Sequence, residues 1–419
     1  KLLDEAHKRN IKVMLDIVVN HAGYDKNGSA KDWSDETDSP FAGMIRPEAQ
    51  AGSDSLTQWM GDLPDFMTEK QEVRSKLIAW QKAWATHTTA KGNSVDYFRV
   101  DTVKHVDHET WNQLKSEIAE ANPNFKMIGE YYGASVTNTG DYLGNGEMDS
   151  LLDFDFKSQA GNFVNGKIDS TETALESRNA TLNNAITMGQ FLSSHDEIGF
   201  LESVGKDTAK MKLAAALEMT AKGQPIIYYG EEINLTGNTT YGSDENNRYD
   251  MQFDNLTDEQ TAMLTHYKKL IAARNTKTAV FAKGTRTKIA GGDSEGYLVF
   301  KRSYGSDFAY VGLNTTATSQ DATFKVSENV STVKDLYSGK SYAVNSGSVT
   351  VTIPANAEGG TVILVGGATV SGGGSSSVTT PAKKENVTTE KLPDGSVVET
   401  KTETVDGGEK TTVTTKDES

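Results

Sequence analysis

The chain has no cysteine in its 419 residues, and that absence removes disulfides, thiolate zinc sites and cysteine nucleophiles together. It does not exclude secretion, because a chain of this length can bury a core that needs no covalent staples. No apolar run approaches the roughly 20 residues that would cross a bilayer, so membrane insertion is not expected. Basic residues are in deficit: 42 Lys and Arg against 58 Asp and Glu leave a formal net charge of −16. Phosphate binding needs clustered cations, so a nucleic-acid or anionic-membrane partner is disfavoured and a neutral ligand suits this surface better. No Gly-rich phosphate loop is present. The chain starts at Lys1 rather than Met, and residues 1–11 read as an amphipathic helix entering an apolar strand. The expectation is a piece of a longer gene product, whose start, with or without a leader peptide, lies upstream.

What is present is a long alternation of short apolar runs and helical patterns, the mark of βα units on a parallel sheet. The expected strands are Lys12–Val18, Asp96–Val100, Lys126–Gly129, Ser150–Phe154, Met188–Ser194 and Pro225–Tyr229. Their apolar content is nearly continuous, as in strands covered on both faces. Helices are expected over Lys70–Ala85, His108–Ala121, Ser170–Asn179 and Thr208–Lys222. Between His21 and Thr68 the pattern breaks into a Gly, Asp, Ser and Pro-rich stretch too long for an ordinary loop, which reads as an inserted subdomain. From about Val280 to Leu364 short alternating strands such as GYLVFKRS, FAYVGLN and SVTVTIPA predict an antiparallel β-sandwich. A flexible GGATVSGGGSSS linker follows. The Thr, Glu, Lys and Val tail carries PDG (Pro393–Gly395) and DGG (Asp406–Gly408) turn signals, but with two polar faces it reads as a spacer rather than a small β module.

Four short segments each end an expected strand: DIVVNH (Asp16–His21), FRVDTVKH (Phe98–His105), GEYYG (Gly129–Gly133) and SSHDE (Ser193–Glu197). Strand C-termini of a (β/α)8 barrel converge on one face and build its active site. Glycosidic cleavage needs one carboxylate as nucleophile and one carboxylic acid to protonate the leaving oxygen. Asp101 and Glu130, ending successive strands, are the natural pair, with a separation of about 5–5.5 Å expected for a retaining enzyme. Asp196 is a third acid, placed to bond sugar hydroxyls and to keep Glu130 protonated by like-charge repulsion. Arg99, two residues before Asp101, falls on the same strand face and can hold the nucleophile ionised. His21 and His195 are placed to bind hydroxyls.

Each residue taken alone has a plainer reading. Asp101 serves equally well as a helix N-cap, Glu130 as a solvated acid, His21 as a bonded structural histidine, and Arg99 as an ordinary ion-pair partner. Asp16, mid-strand, reads as a buried polar residue bracing the barrel. The order of the four segments and their fit to successive βα units outweigh these readings.

Together the segments resemble the four conserved regions of the α-amylase family, glycoside hydrolase family 13, in the right order. LPDF (Leu63–Phe66) resembles a fifth, GQPIIYYGEE (Gly223–Glu232) the eighth-strand segment, and HYKKLIAARNTKTAV the helix leading to the C-terminal β domain. The resemblance covers about residues 1–366. It implies Asp101 as nucleophile, Glu130 as general acid/base and Asp196 as stabiliser of the transition state. Arg99, His21 and His195 would line the subsite at the scissile sugar, and Lys104 and His105 would reach the leaving-group side. It also implies Ca2+ held by Asn20, Asp65 and the backbone carbonyl of His105, pinning the insert to the barrel; hard oxygen ligands suit that ion.

The implied architecture is an α/β (β/α)8 TIM barrel, partial over 1–21 and 69–277 with its first two strands missing. It carries a calcium-associated insert at 22–68, a β-sandwich at 278–366, and a linker and spacer at 367–419. Without those strands the isolated chain is expected to fold poorly or lack activity. The implied function is retaining, endo-type hydrolysis of α-1,4-glucosidic bonds in starch or maltooligosaccharides. The alternatives are a transglycosylase resembling a cyclodextrin glucanotransferase, and a non-catalytic glucan-binding protein. Starch lies outside cells and the tail resembles bacterial wall-proximal spacers, so a secreted or cell-surface bacterial protein is expected. Its tail would lead to the wall or to a further module.

Overall fold

The computed structural model describes residues 1–23, 40–238 and 247–367, together with the backbone of three further strands. Part of the expected insert, 24–39, lies outside the described residues. The chain divides into two units, Lys1–Val370 and Ser371–Ser419.

In the first unit six strands form one curled parallel sheet, in the order β1 (Met14–Ile17), β2 (Tyr97–Val100), β3 (Lys126–Gly129), β4 (Ser150–Asp153), β5 (Met188–Phe191) and β6 (Gln224–Ile226). Each strand pairs with the next in sequence, so the βα alternation seen in the sequence translates directly into spatial order. β4, β5 and β6 give up the last residues of their expected runs to loops, β1 is trimmed at both ends, β2 starts one residue later than expected, and β3 matches its run. Helix α1 is Leu2–His7, α2 Gln71–Thr86 and α3 His108–Ala121; α4 (Asp155–Val164) was not anticipated from the sequence. Its N-terminus follows β4 after the single residue Phe154, and its helical period is masked by the apolar run before it. Helices α5 (Ile168–Thr181), α6 (Phe200–Ser203), α7 (Thr208–Thr220), α8 (Asp258–Thr276) and α9 (Thr278–Lys283) complete the set used below.

Alternation along each strand sorts the side chains. Phe98 and Val100 on β2 are fully buried in a core with Leu77, Ile78 and Trp111 of the covering helices. Met14, Asp16, Arg99, Ile128 and Leu152 line a cavity on the inner face.

The C-terminal strands form a six-stranded antiparallel sheet in the order β12 (Ser341–Ala343), β11 (Thr332–Asp335), β14 (Thr361–Gly366), β9 (Asp307–Asn314), β8 (Tyr297–Tyr304) and β7 (Thr285–Gly292), and a two-stranded one of β10 (Gln320–Lys325) and β13 (Ser348–Ile353). Strand β9 (Asp307–Asn314) is buried almost throughout, which alternation explains. Ala309, Val311 and Leu313 join the core beneath α4, α7 and α8, while Phe308 and Tyr310 join the core between the sheets. Arg302 on β8 (Tyr297–Tyr304) is fully buried and donates to the carbonyls of Thr220, Val280, Phe281, Gly284 and Thr285. Three of those carbonyls lie in the last turns of α7 and α9, where helices leave acceptors unsatisfied.

A second tie is titratable. His266 of α8 meets the carbonyl of Lys212 through Nε2 and the hydroxyl of Tyr337 through Nδ1, both at 2.7 Å. Burial, aided by the charges of Lys212 and Lys269, lowers its pKa to about 4. The folded state therefore binds fewer protons than the unfolded chain between the two pKa values, and stability rises with pH there. The contribution is complete above pH ~6.5 and is lost as pH falls toward 4, a difference of about 3 kcal/mol. Thermal melts across that window should show the fall, and His266→Gln should flatten it; a parent curve with no slope there refutes the assignment.

The tail departs from the spacer expectation. Glu385–Lys391, Val397–Val405 and Gly408–Lys416 form a three-stranded antiparallel sheet. The PDG signal and the first two residues of DGG lie outside the described residues. Period-2 alternation and the β-propensity of Thr and Val prevail over the polarity of the two faces.

Candidate active site

The inner ends of β1, β2, β3 and β5 place the expected residues together. Arg99 is the hub: Nη1 donates to Asp101 Oδ1 at 2.5 Å and to Asp16 Oδ1 at 3.0 Å, while Nη2 lies 3.3 Å from Glu130 Oε2. Asp16 is therefore not the buried brace expected of it; its side chain is 55% exposed and flanks the guanidinium. One guanidinium thus registers three strand ends.

Two local features set Glu130. Thr102 takes a left-handed backbone, φ 50°, uncommon for a β-branched residue. Its N–H donates to Glu130 Oε2 at 3.0 Å. Gly129 precedes Glu130 because a Cβ there would come within 2.7 Å of Val103 and 2.9 Å of Leu151. With Oε2 accepting from the Thr102 N–H and lying 3.3 Å from Arg99 Nη2, the proton of a neutral Glu130 belongs on Oε1. Burial raises the Glu130 pKa to about 7; Asp101 and Asp196 push the same way, against Arg99 and the Thr102 amide.

Asp196 is held in the opposite state. Burial pushes it up, but His195, Arg248 and Arg99 outweigh that and hold it below the usual carboxylate range. His195 Nε2 lies 3.0 Å from Asp196 Oδ2 and Arg248 Nη2 3.4 Å from Oδ1. A protonated acid beside ionised ones is how one site divides acid and base roles. Asp16, Arg99, Glu130, His195, Asp196 and Tyr228 line a shared cavity of about 240 Å³.

His21 is half-buried, and its desolvation lowers its pKa. Asn20 Nδ2 lies 3.2 Å from its Nδ1, which as the acceptor leaves the proton on Nε2. His105 Nδ1 lies 2.9 Å from the carbonyl of Ser55 in the insert. Lys104 Nζ lies over Tyr131 and Tyr132, 6.0 and 5.5 Å from the ring centroids. Lys104, His105, Gln58 and Tyr131 line a neighbouring open cavity rather than the first. Arg248 and Tyr228 were not singled out from the sequence: they lie outside the four segments and no spacing ties them to Asp196.

For a divalent cation, Asn20 and Asp65 come together: His21 and Asp65 form a backbone bridge and Phe66 N donates to the Asn20 carbonyl at 2.9 Å. Asp65 Oδ1 is buried with no hydrogen-bond partner among the described residues, which fits a hard cation. Asp65 Oδ2 is taken by Arg46 Nε at 2.7 Å. Among the described residues no group of three or more His, Asp or Glu side chains is placed to hold a metal.

The α-amylase catalytic-domain model matches residues 1–261, and the chain belongs to the α-amylase family. It is 25% identical over 373 residues to the maltogenic α-amylase of Bacillus acidopullulyticus, covering 85% of this chain and 60% of that protein. It is also 25% identical over 371 residues to a cyclomaltodextrinase of Geobacillus thermopakistaniensis (strain MAS1), covering 84% and 59%. The chain thus spans about three-fifths of these relatives. The crystal structure of an Anoxybacillus α-amylase superposes with a TM-score of 0.71 at 25% identity, covering 88% of this chain and 78% of that one.

Proposed function

We propose that the site hydrolyses α-1,4-glucosidic bonds with retention, acting on starch-derived glucans. The observation that carries the reading is the single Arg99 guanidinium, hydrogen-bonded to Asp101 and ion-paired with Glu130 at adjacent strand ends. Asp101 attacks the anomeric carbon, while Glu130 gives its proton to the glycosidic oxygen and the aglycone leaves as an alcohol. Glu130, now ionised, takes a proton from water as that oxygen attacks the anomeric carbon, and the bond to Asp101 breaks. Asp196, fixed by His195, stabilises the oxocarbenium-like charge, and His21 offers Nε2–H to a hydroxyl.

Calcium belongs to the proposal as a structural ligand of Asn20, Asp65 and the His105 carbonyl, tying the insert down and taking no part in the chemistry. An extracellular setting follows from a polymeric substrate. Among the described residues no helix is long and apolar enough to cross a membrane.

A second reading draws on the relatives named maltogenic α-amylase and cyclomaltodextrinase: small or cyclic maltooligosaccharides as preferred substrates over starch. Incubation with soluble starch and with cyclic maltooligosaccharides, followed by product chromatography and anomer analysis, tests both. Linear products born in the α configuration support retaining hydrolysis, and faster turnover of the rings selects the second substrate. Newly formed cyclic products from starch, or β-anomeric ones, overturn the proposal.

A further inference from the structure

The open cavity beside Lys104 has a wall that the proposed chemistry leaves unused. It encloses about 550 Å³ between Ser55 and Gln58 of the insert and Tyr131 and Tyr142 of the loop joining β3 to β4. Tyr131 directly follows Glu130, so the cavity adjoins the side on which a leaving group departs. Tyr142 stands out there. It is only 6% exposed, yet its hydroxyl meets no hydrogen-bond partner among the described residues, where a buried phenol ordinarily finds one. The ring is fixed on several sides. His108, the first residue of α3, stacks on it with centroids 4.4 Å apart, and Tyr131 tilts against it at 5.6 Å. Gly140 packs so closely that a Cβ there would come within 2.7 Å of Tyr131 and 3.0 Å of Tyr142. His108 is held in turn: its Nδ1 lies 3.0 and 2.9 Å from the two oxygens of Glu147, whose side chain is 0% exposed. Asn112 Nδ2 donates to Glu147 Oε1 at 2.9 Å. Glu147 belongs to the same loop as Tyr142, so α3 fastens that loop through an acid sealed from water.

Resting on the hydrolytic reading above, we infer that Tyr142 is a specificity-determining residue whose hydroxyl donates to a hydroxyl of the departing α-1,4-glucan, and that the His108–Glu147 pair is the positioning device that aims it. Burial, reinforced by Glu147, Tyr131 and Asp107, pushes the Tyr142 pKa up to about 12, so the group keeps its proton and stays a donor. The contact exists on the leaving-group side alone. A substrate without sugars there cannot use it, whereas an acceptor sugar arriving in the same place can. Tyr142 therefore also bears on whether water or a sugar resolves the glycosyl-enzyme.

The test compares the full chain with Tyr142→Phe on maltopentaose and on α-maltotriosyl fluoride, which present the same donor sugars with and without leaving-group sugars. The hydroxyl has no protein partner to lose, so Tyr142→Phe should melt like the parent. Its kcat/KM on maltopentaose should fall about 3- to 10-fold, the worth of one hydrogen bond, while that on the fluoride changes by less than about twofold. With maltose added as acceptor, transfer relative to hydrolysis should fall by a similar factor. His108→Ala should reproduce the selective loss, and the double variant should lose no more than Tyr142→Phe alone, because the pair acts through the hydroxyl. Equal losses on both substrates, or no loss on maltopentaose, overturn the assignment of Tyr142, and an additive double variant overturns the positioning role. Should His108→Ala fail to fold, Tyr142→Phe decides alone. A parent that releases no α-configured sugar from either substrate removes the hydrolytic reading and this inference with it, a result told apart from the others because it needs no variant.

Discussion

Asp101→Asn is expected to lower kcat/KM for maltooligosaccharide hydrolysis by on the order of 10⁴–10⁶-fold, the range seen when a covalent nucleophile is removed. The substitution is isosteric and Asp101 is partly exposed beside a guanidinium that keeps two other acidic partners, Asp16 and Glu130. The fold should therefore survive, and an unchanged Tm is the control. A second effect follows from the same geometry. Asp101 is one of the charges that raise the Glu130 pKa, so its neutralisation should also move any residual alkaline limb to lower pH. Loss of less than about a hundredfold, measured on a variant that melts like the parent, assigns the nucleophile elsewhere.

Glu130→Gln should cost about 10²–10⁴-fold on natural glucans, the span of a general acid's contribution. The loss should shrink for substrates whose leaving group needs no proton, such as a glycosyl fluoride, because only protonation of the aglycone has been removed. The pH profile separates this role from a structural one. With the folded pKa at about 7, burial being its main cause, Glu130 is protonated and active below that value, so kcat/KM of the parent falls as pH rises through it. In Glu130→Gln that limb should vanish. A limb that survives unmoved belongs to another group.

Much of the fold was legible because parallel βα units write themselves as apolar runs separated by helical periods, and each strand here pairs with its sequence neighbour. The carboxylates were legible for a related reason: alternation on β2 puts Phe98 and Val100 under the helices, so Arg99 and Asp101 must face inward. Arg46 was not legible. Its partners Asp65 and Glu69 lie 19 and 23 residues away, and nothing in a Gly- and Pro-rich stretch distinguishes an arginine that turns inward from one that faces water. Arg248 was hidden likewise, its contact with Asp196 spanning 52 residues. The role of Asp16 was misread because a mid-strand position was equated with burial, whereas the cavity on the inner face leaves it open to solvent. The tail was misread because polarity was weighed above period, although an antiparallel ladder satisfies its backbone without needing a dry face.

The clamp around Arg99 also has a consequence for what the cleft will admit. With Glu130 neutral, one guanidinium faces two anionic oxygens, those of Asp16 and Asp101, and Asp196 adds another anion on the same wall. Arg248 beside Asp196 offsets part of this, so three carboxylates face two guanidinium groups, and the small anionic excess favours a positively charged ring over an anionic sugar. Saccharides carrying a basic nitrogen at the ring should be retained far longer than their neutral counterparts, and phosphorylated or uronic sugars turned away. Because such discrimination is Coulombic, its exposed part should fade as ionic strength rises.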